Sequence, residues 1–77
     1  MKLTVRQAYE VMYDFLGTYY HRTGKPDEIG GLLSDLSFLD NEDSPVDPSI
    51  WDDWLESVSK IEKGIPINIK QRLKPNK

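Results

Sequence analysis

Val46-Asp47-Pro48-Ser49-Ile50-Trp51-Asp52-Asp53-Trp54-Leu55 decides the fold. Asp47 suits a helix N-cap, because its carboxylate can accept from backbone N–H groups left unpaired in the first turn. Pro48 then takes the first helical position, where a missing N–H is harmless. Val46 and Trp51 stand where a hydrophobic staple needs them. Beyond the start, Trp51, Trp54, Leu55, Val58 and Ile61 form one apolar stripe, and Asp52, Asp53 and Glu56 point elsewhere. Both tryptophans of the chain therefore sit on one short helix with an apolar face and an acidic one. The helix is expected over about residues 48–63. Gly64 follows as a natural left-handed stop, and Lys60 and Lys63 lie in the last turn, where cations suit the dipole.

Two further helices are read outward from this one. Thr4 and Gln7 have capping-box spacing. Behind them Val5, Ala8, Tyr9, Met12, Phe15, Leu16 and Tyr19 recur at steps of three and four, which predicts a helix over about 5–21. Gly24-Lys25-Pro26 ends it. Asp27 and Glu28 open the next helix, about 27–38, with acids in its first turn. Ile29, Leu32, Leu33 and Leu36 supply its apolar face. Gly30 and Gly31 weaken it by nearly 1 kcal/mol each relative to alanine, so it depends on packing, and they allow close approach to the first helix. The expected fold is all-α: a small three-helix bundle over residues 1–64, with Trp51, Trp54 and Leu55 packed on Tyr9, Met12, Phe15 and Leu16. Residues 65–77 read as a basic tail, extended or a short helix. Pro66 limits Ile65–Ile69 to an extended segment whose isoleucines are expected to pack back on the helices.

Charge is divided along the chain. Net charge is −3, but residues 1–59 sum to −8 and residues 60–77 to +5, and between Pro26 and Ser59 there are ten acids and no Lys or Arg. An acidic body disfavours nucleic acid, whose phosphates need cations. It favours a basic protein partner through electrostatic steering. Solubility alone is the competing explanation. The loop Asp40-Asn41-Glu42-Asp43-Ser44-Pro45 reads as solvated, since its spacing is not that of a calcium loop.

The catalytic inventory is short. There is no cysteine and one histidine, His21, placed at a helix end where a cation suits the dipole. The serines have no nucleophile motif around them. Asp52 and Asp53 are about 100° apart on a helix and do not face each other as a carboxylate dyad would. A Gly30-Gly31 phosphate cradle is rejected, because Asp27 and Glu28 would repel phosphate and no lysine follows. No enzyme activity, cofactor or metal is expected. No signal-peptide core follows Met1, and no apolar run has the ~18 residues of a membrane span, so the expectation is a cytoplasmic chain with no membrane partner.

Three stretches carry a resemblance. They are Leu3-Thr4-Val5 with Ala8-Tyr9 and Met12-Tyr13-Asp14-Phe15-Leu16; then Tyr19-Tyr20-His21-Arg22-Thr23-Gly24 with Ile29-Gly30-Gly31-Leu32-Leu33-Ser34-Asp35; then Asp47–Leu55. Over about residues 3–63 the chain resembles small acidic bacterial proteins, some assigned as immunity proteins of contact-dependent growth inhibition or related polymorphic toxin systems. The resemblance implies a cytoplasmic antidote that binds the toxin domain of a neighbouring gene, such toxins often being basic nucleases. The basic tail departs from a uniformly acidic decoy. In that reading Asp40, Glu42, Asp43, Asp52, Asp53 and Glu56 supply charge, and Tyr13 or Tyr20 is the candidate aromatic anchor. The alternative is a structural or adaptor domain, a homodimer among its forms, whose acid serves solubility.

Overall fold

A computed structural model describes residues 1–39 and 43–69. Among them the chain is all-helical: α1 (Val5–Arg22), α2 (Asp27–Leu36) and α3 (Pro48–Glu62). α1 is the centre, with both α2 and α3 packed on it, while α2 and α3 scarcely meet.

The local signals act as their chemistry requires. At the start of α1 the Gln7 N–H donates to Thr4 Oγ1 and the Thr4 N–H donates to Gln7 Oε1, at 3.0 and 2.9 Å, completing the capping box. Asp47 Oδ1 accepts from the Ser49 N–H at 3.1 Å and from the Ser49 hydroxyl at 2.7 Å, with Pro48 at the first position of α3. α1 ends in a turn whose Lys25 N–H reaches back to the Tyr20 carbonyl at 2.8 Å, with Gly24 at φ 88°. At the end of α3, Gly64 takes φ 74°, and the N–H groups of Gly64 and Ile65 bond the carbonyls of Ile61 and Lys60. These are the two bonds of a Schellman close, and the positive φ is why glycine stands there.

α2 stops two residues earlier than its sequence pattern. Ser37 turns to an extended conformation, its hydroxyl bonding the Ser34 carbonyl. Phe38 then leaves the helix and forms an isolated antiparallel bridge with Pro45. The Val46 N–H donates to Ser37 O at 2.8 Å and the Asp47 N–H to Asp35 O at 3.3 Å, so the start of α3 is tied to the end of α2. Pro45 is buried, against the expectation of a solvated loop, because it faces this clasp. Residues 40–42 lie outside the described residues.

The core is thin and aromatic. Tyr9 is 2% exposed and Leu36 5%. The Tyr9 ring meets Phe38, Trp51 and Trp54 edge-on, at centroid distances of 5.7, 5.3 and 5.3 Å. Its hydroxyl donates to the Leu36 carbonyl at 2.7 Å. Trp54 Nε1 donates to the Val5 carbonyl at 3.2 Å, pinning α3 to the first turn of α1. Two expected core members are out of place: Phe15 is 64% exposed and Leu55 42%. The face of α1 that packs runs through Val5, Ala8, Tyr9, Met12, Leu16 and Tyr20, all buried or half-buried, and Phe15 lies to one side of it. On α3 the corresponding face is Ile50, Trp51, Trp54 and Val58. Ile65, Ile67 and Ile69 extend from α3 and are exposed, so they do not pack back as expected. The basic end, Lys70–Lys77, lies outside the described residues.

Gly30 is where α2 approaches α1. A Cβ built there would stand 3.1 Å from the Tyr20 ring, whereas one at Gly31 meets nothing within 4 Å. Gly31→Ala should therefore stabilise the fold by about 0.8–1 kcal/mol, the helix-propensity difference. Gly30→Ala should gain less, because the Tyr20 ring must give by a few tenths of an ångström. Paired thermal melts measure the difference, and equal gains would mean that α2 does not approach α1 through Gly30.

Burial, and then the neighbouring Tyr13 phenol, raise the Tyr9 pKa above its ordinary value of 10.0. The unfolded chain therefore releases this proton at lower pH than the folded one. The stabilisation is complete below about pH 10 and is lost as pH rises through the folded pKa. Tyr9→Phe leaves the Leu36 carbonyl without its donor and should lower stability by about 1–3 kcal/mol at neutral pH. The gap from wild type should narrow above pH ~10, where only wild type carries the phenol. Denaturation of both proteins across an alkaline series reads this directly, and a pH-independent gap would contradict it.

Candidate interaction surface

Two grooves flank the Tyr9–Leu36 pair, one on each side. The first, about 320 Å³, lies between α1 and the turn leaving α2, and is lined by Arg6, Glu10, Tyr13, Ser37 and Phe38 around Tyr9 and Leu36. Helical spacing places Arg6, Glu10 and Tyr13 along one edge of α1. Arg6 bonds Glu10 at 3.4 Å, an exposed i,i+4 pair worth little by itself. Its guanidinium also lies 4.4 Å from the centroid of the Phe38 ring. Phe38 thus has Arg6 over it and Tyr9 and Trp51 at its edges, and the cation closes that end of the aromatic cluster.

The second groove, about 270 Å³, opens between α2 and α3. Tyr9 and Met12 of α1 make its floor, Leu32 and Leu36 one wall, and Ile50, Asp53, Trp54 and Ser57 the other. It exists because α2 and α3 each bind α1 but scarcely touch each other. Leu32, on its rim, is 41% exposed.

The anticipated partner-binding residues fall in different places. Asp43, Asp52, Asp53 and Glu56 are all exposed. Asp53 borders the second groove; Asp52 and Glu56, four apart, share a neighbouring strip of α3. Tyr13 is exposed on the rim of the first groove, whereas Tyr20 is half-buried against Gly30 and holds α1 to α2. Tyr13 is therefore the more accessible of the two aromatics. Asp40 and Glu42 lie outside the described residues. His21 is exposed in the last turn of α1, with the Tyr20 ring edge-on at 5.3 Å.

Sequence reasoning missed the groove walls. Leu32, Leu36, Met12 and Trp54 all carry the pattern of core residues, and nothing local marks that the helices bearing them stand apart. Phe38 and Arg6 were missed because their contact joins residues 32 positions apart in the chain. Among the described residues, no three His, Asp or Glu gather as a metal site, and no helix is long and apolar enough to cross a membrane. No protein-family model, curated protein or solved structure matches the chain.

Proposed function

We propose that this chain is a non-catalytic immunity protein of the cytoplasm, a small helical bundle that neutralises a cognate bacterial toxin domain by covering it with an acidic surface. The observation that carries the reading is the charge distribution. From Pro26 to Ser59 the chain holds ten acids and no Lys or Arg. Asp27, Glu28, Asp35, Asp43, Asp47, Asp52, Asp53 and Glu56 are all exposed along α2, α3 and the end of their connection. A stretch of one sign over α2 and most of α3 attracts a basic partner from a distance and disfavours nucleic acid there. A toxin acting on nucleic acid must itself carry a cationic groove, so the same surface that steers the antidote also occludes the substrate path. The resemblance in Leu3–Val5, Ala8-Tyr9, Met12–Leu16, Tyr19–Gly24, Ile29–Asp35 and Asp47–Leu55 supports the same partner class.

A second reading is favoured by the thin core. Phe15 and Leu32 are exposed on a chain in which Tyr9 and Leu36 are the buried large apolar side chains among the described residues. An adaptor domain that completes its core on a partner or as a homodimer would explain them, with the acids serving solubility.

Rim charges act mainly on association rates, and screening limits their reach to about 10 Å at 0.1 M salt. Asp52→Lys with Asp53→Lys should therefore slow association with the toxin domain encoded beside this gene by about ten-fold or more at low salt. Thermal stability should be nearly unchanged, because both side chains are exposed. Stopped-flow binding across a salt series provides the measurement. A flat on-rate for the double reversal removes the α3 acids from the interface, and no binding of the wild-type chain leaves the adaptor reading in front.

A further inference from the structure

We infer that the groove between α2 and α3 is a docking site for a basic amphipathic helix of the partner protein. The assignment rests on the reading of the chain as a protein-neutralising binder and deepens it, by naming the element that the surface receives.

Shape argues for a helix. Leu32 and Leu36 form one i,i+4 ridge and Ile50 and Trp54 form another, with Met12 and Tyr9 between them at the bottom. Two such ridges separated by a valley are the surface into which a third ridge of i,i+4 side chains inserts. A strand is a poor occupant. The wall backbones lie within α2 and α3, where their N–H and C=O groups are already used, so an extended segment would bury unpaired peptide groups. A helix arrives with its backbone bonds made and needs only an apolar face.

Charge argues for lysine or arginine beside that face. Asp53 lines the groove itself. Every charged side chain of α2 is acidic, Asp27, Glu28 and Asp35, as is every one on α3 before Lys60, namely Asp52, Asp53 and Glu56. No basic side chain lines the groove, and a helix seated there gains from a cation set beside Asp53, with further acids on the same two helices to draw it in. The same charges disfavour a second copy of this chain, since α2 and the first three turns of α3 would bring acid against acid.

The probe is a fluorescent idealised helical peptide with leucines on one face and lysines on the other, beside a counterpart with glutamates in place of the lysines. Full-length protein should bind the lysine peptide, with a blue shift of tryptophan emission as Trp54 loses water, and should not bind the glutamate peptide. Leu32→Gln should weaken binding about ten-fold or more, and Ser57→Arg, at an exposed wall position, should do so by repulsion without touching the core. Val11→Gln, on an exposed residue outside the groove, should leave binding unchanged. Leu32→Gln and Ser57→Arg binding the peptide as wild type does would show attraction by charge alone and overturn the site. A dimer in sedimentation that Leu32→Gln dissociates would also overturn it, in favour of a second copy as occupant. With the toxin domain, full affinity in both groove variants alongside slowed association in the Asp52/Asp53 reversal would reject the groove and keep the acidic-surface reading.

Discussion

The hydroxyl of Tyr9 donates to the carbonyl of Leu36 at the centre of this molecule, inside a ring of aromatic edges. Leu36 is the last residue of α2, so its carbonyl has no partner within the helix. The bond from Tyr9 satisfies that orphan and fixes where α2 ends. The same ring meets Trp51 and Trp54 and so fixes where α3 lies. One side chain thereby sets the position of two helices that barely touch each other. In so thin a core there is little else to do it: edge contacts of this kind contribute about 0.5–1.5 kcal/mol each beyond their buried area.

The clasp between Ser37 and Val46 follows from that bond. Once α2 ends at Leu36, Phe38 is free to swing under Arg6 and against Trp51. Its bridge to Pro45 then returns the chain to the foot of α3, where Asp47 caps the helix. The connection is held at its base by apolar and backbone contacts, and its described acids, Asp43 and Asp47, are exposed. This arrangement displays acid on α2, on α3 and beside the clasp without burying any of it, which avoids the desolvation that a buried carboxylate would suffer.

The groove between α2 and α3 is the consequence of holding those two helices from one side only. Each helix is anchored to α1, and the apolar side chains turned toward the gap, Leu32 above all, stay partly wet. In a larger domain another helix would cover them. Here they form an apolar groove with Asp53 on one wall, a surface that suits a partner with an apolar face and a cation beside it.

The helices were legible in the sequence because their signals are local. Thr4 with Gln7, Asp47 with Pro48, and Gly64 act within a few residues of themselves, and their hydrogen bonds form as the spacing requires. The acidic stretch from Pro26 to Ser59 is likewise a property of the chain alone. Tertiary structure decided what periodicity leaves open. A stripe at steps of three and four admits Phe15 and Tyr19 as readily as Tyr20, and only the close approach at Gly30 selects Tyr20. Leu55 and Trp54 are adjacent on one apolar arc, and it is the Val5 carbonyl and the Tyr9 ring that draw Trp54 inward and leave Leu55 outside. Phe38 left the helical pattern because its partners, Tyr9, Trp51 and Pro45, are distant in sequence. The physical reason is common to all of these: caps and charges are fixed by neighbours along the chain, whereas a thin core is filled by whichever side chains the packing of helix on helix brings together.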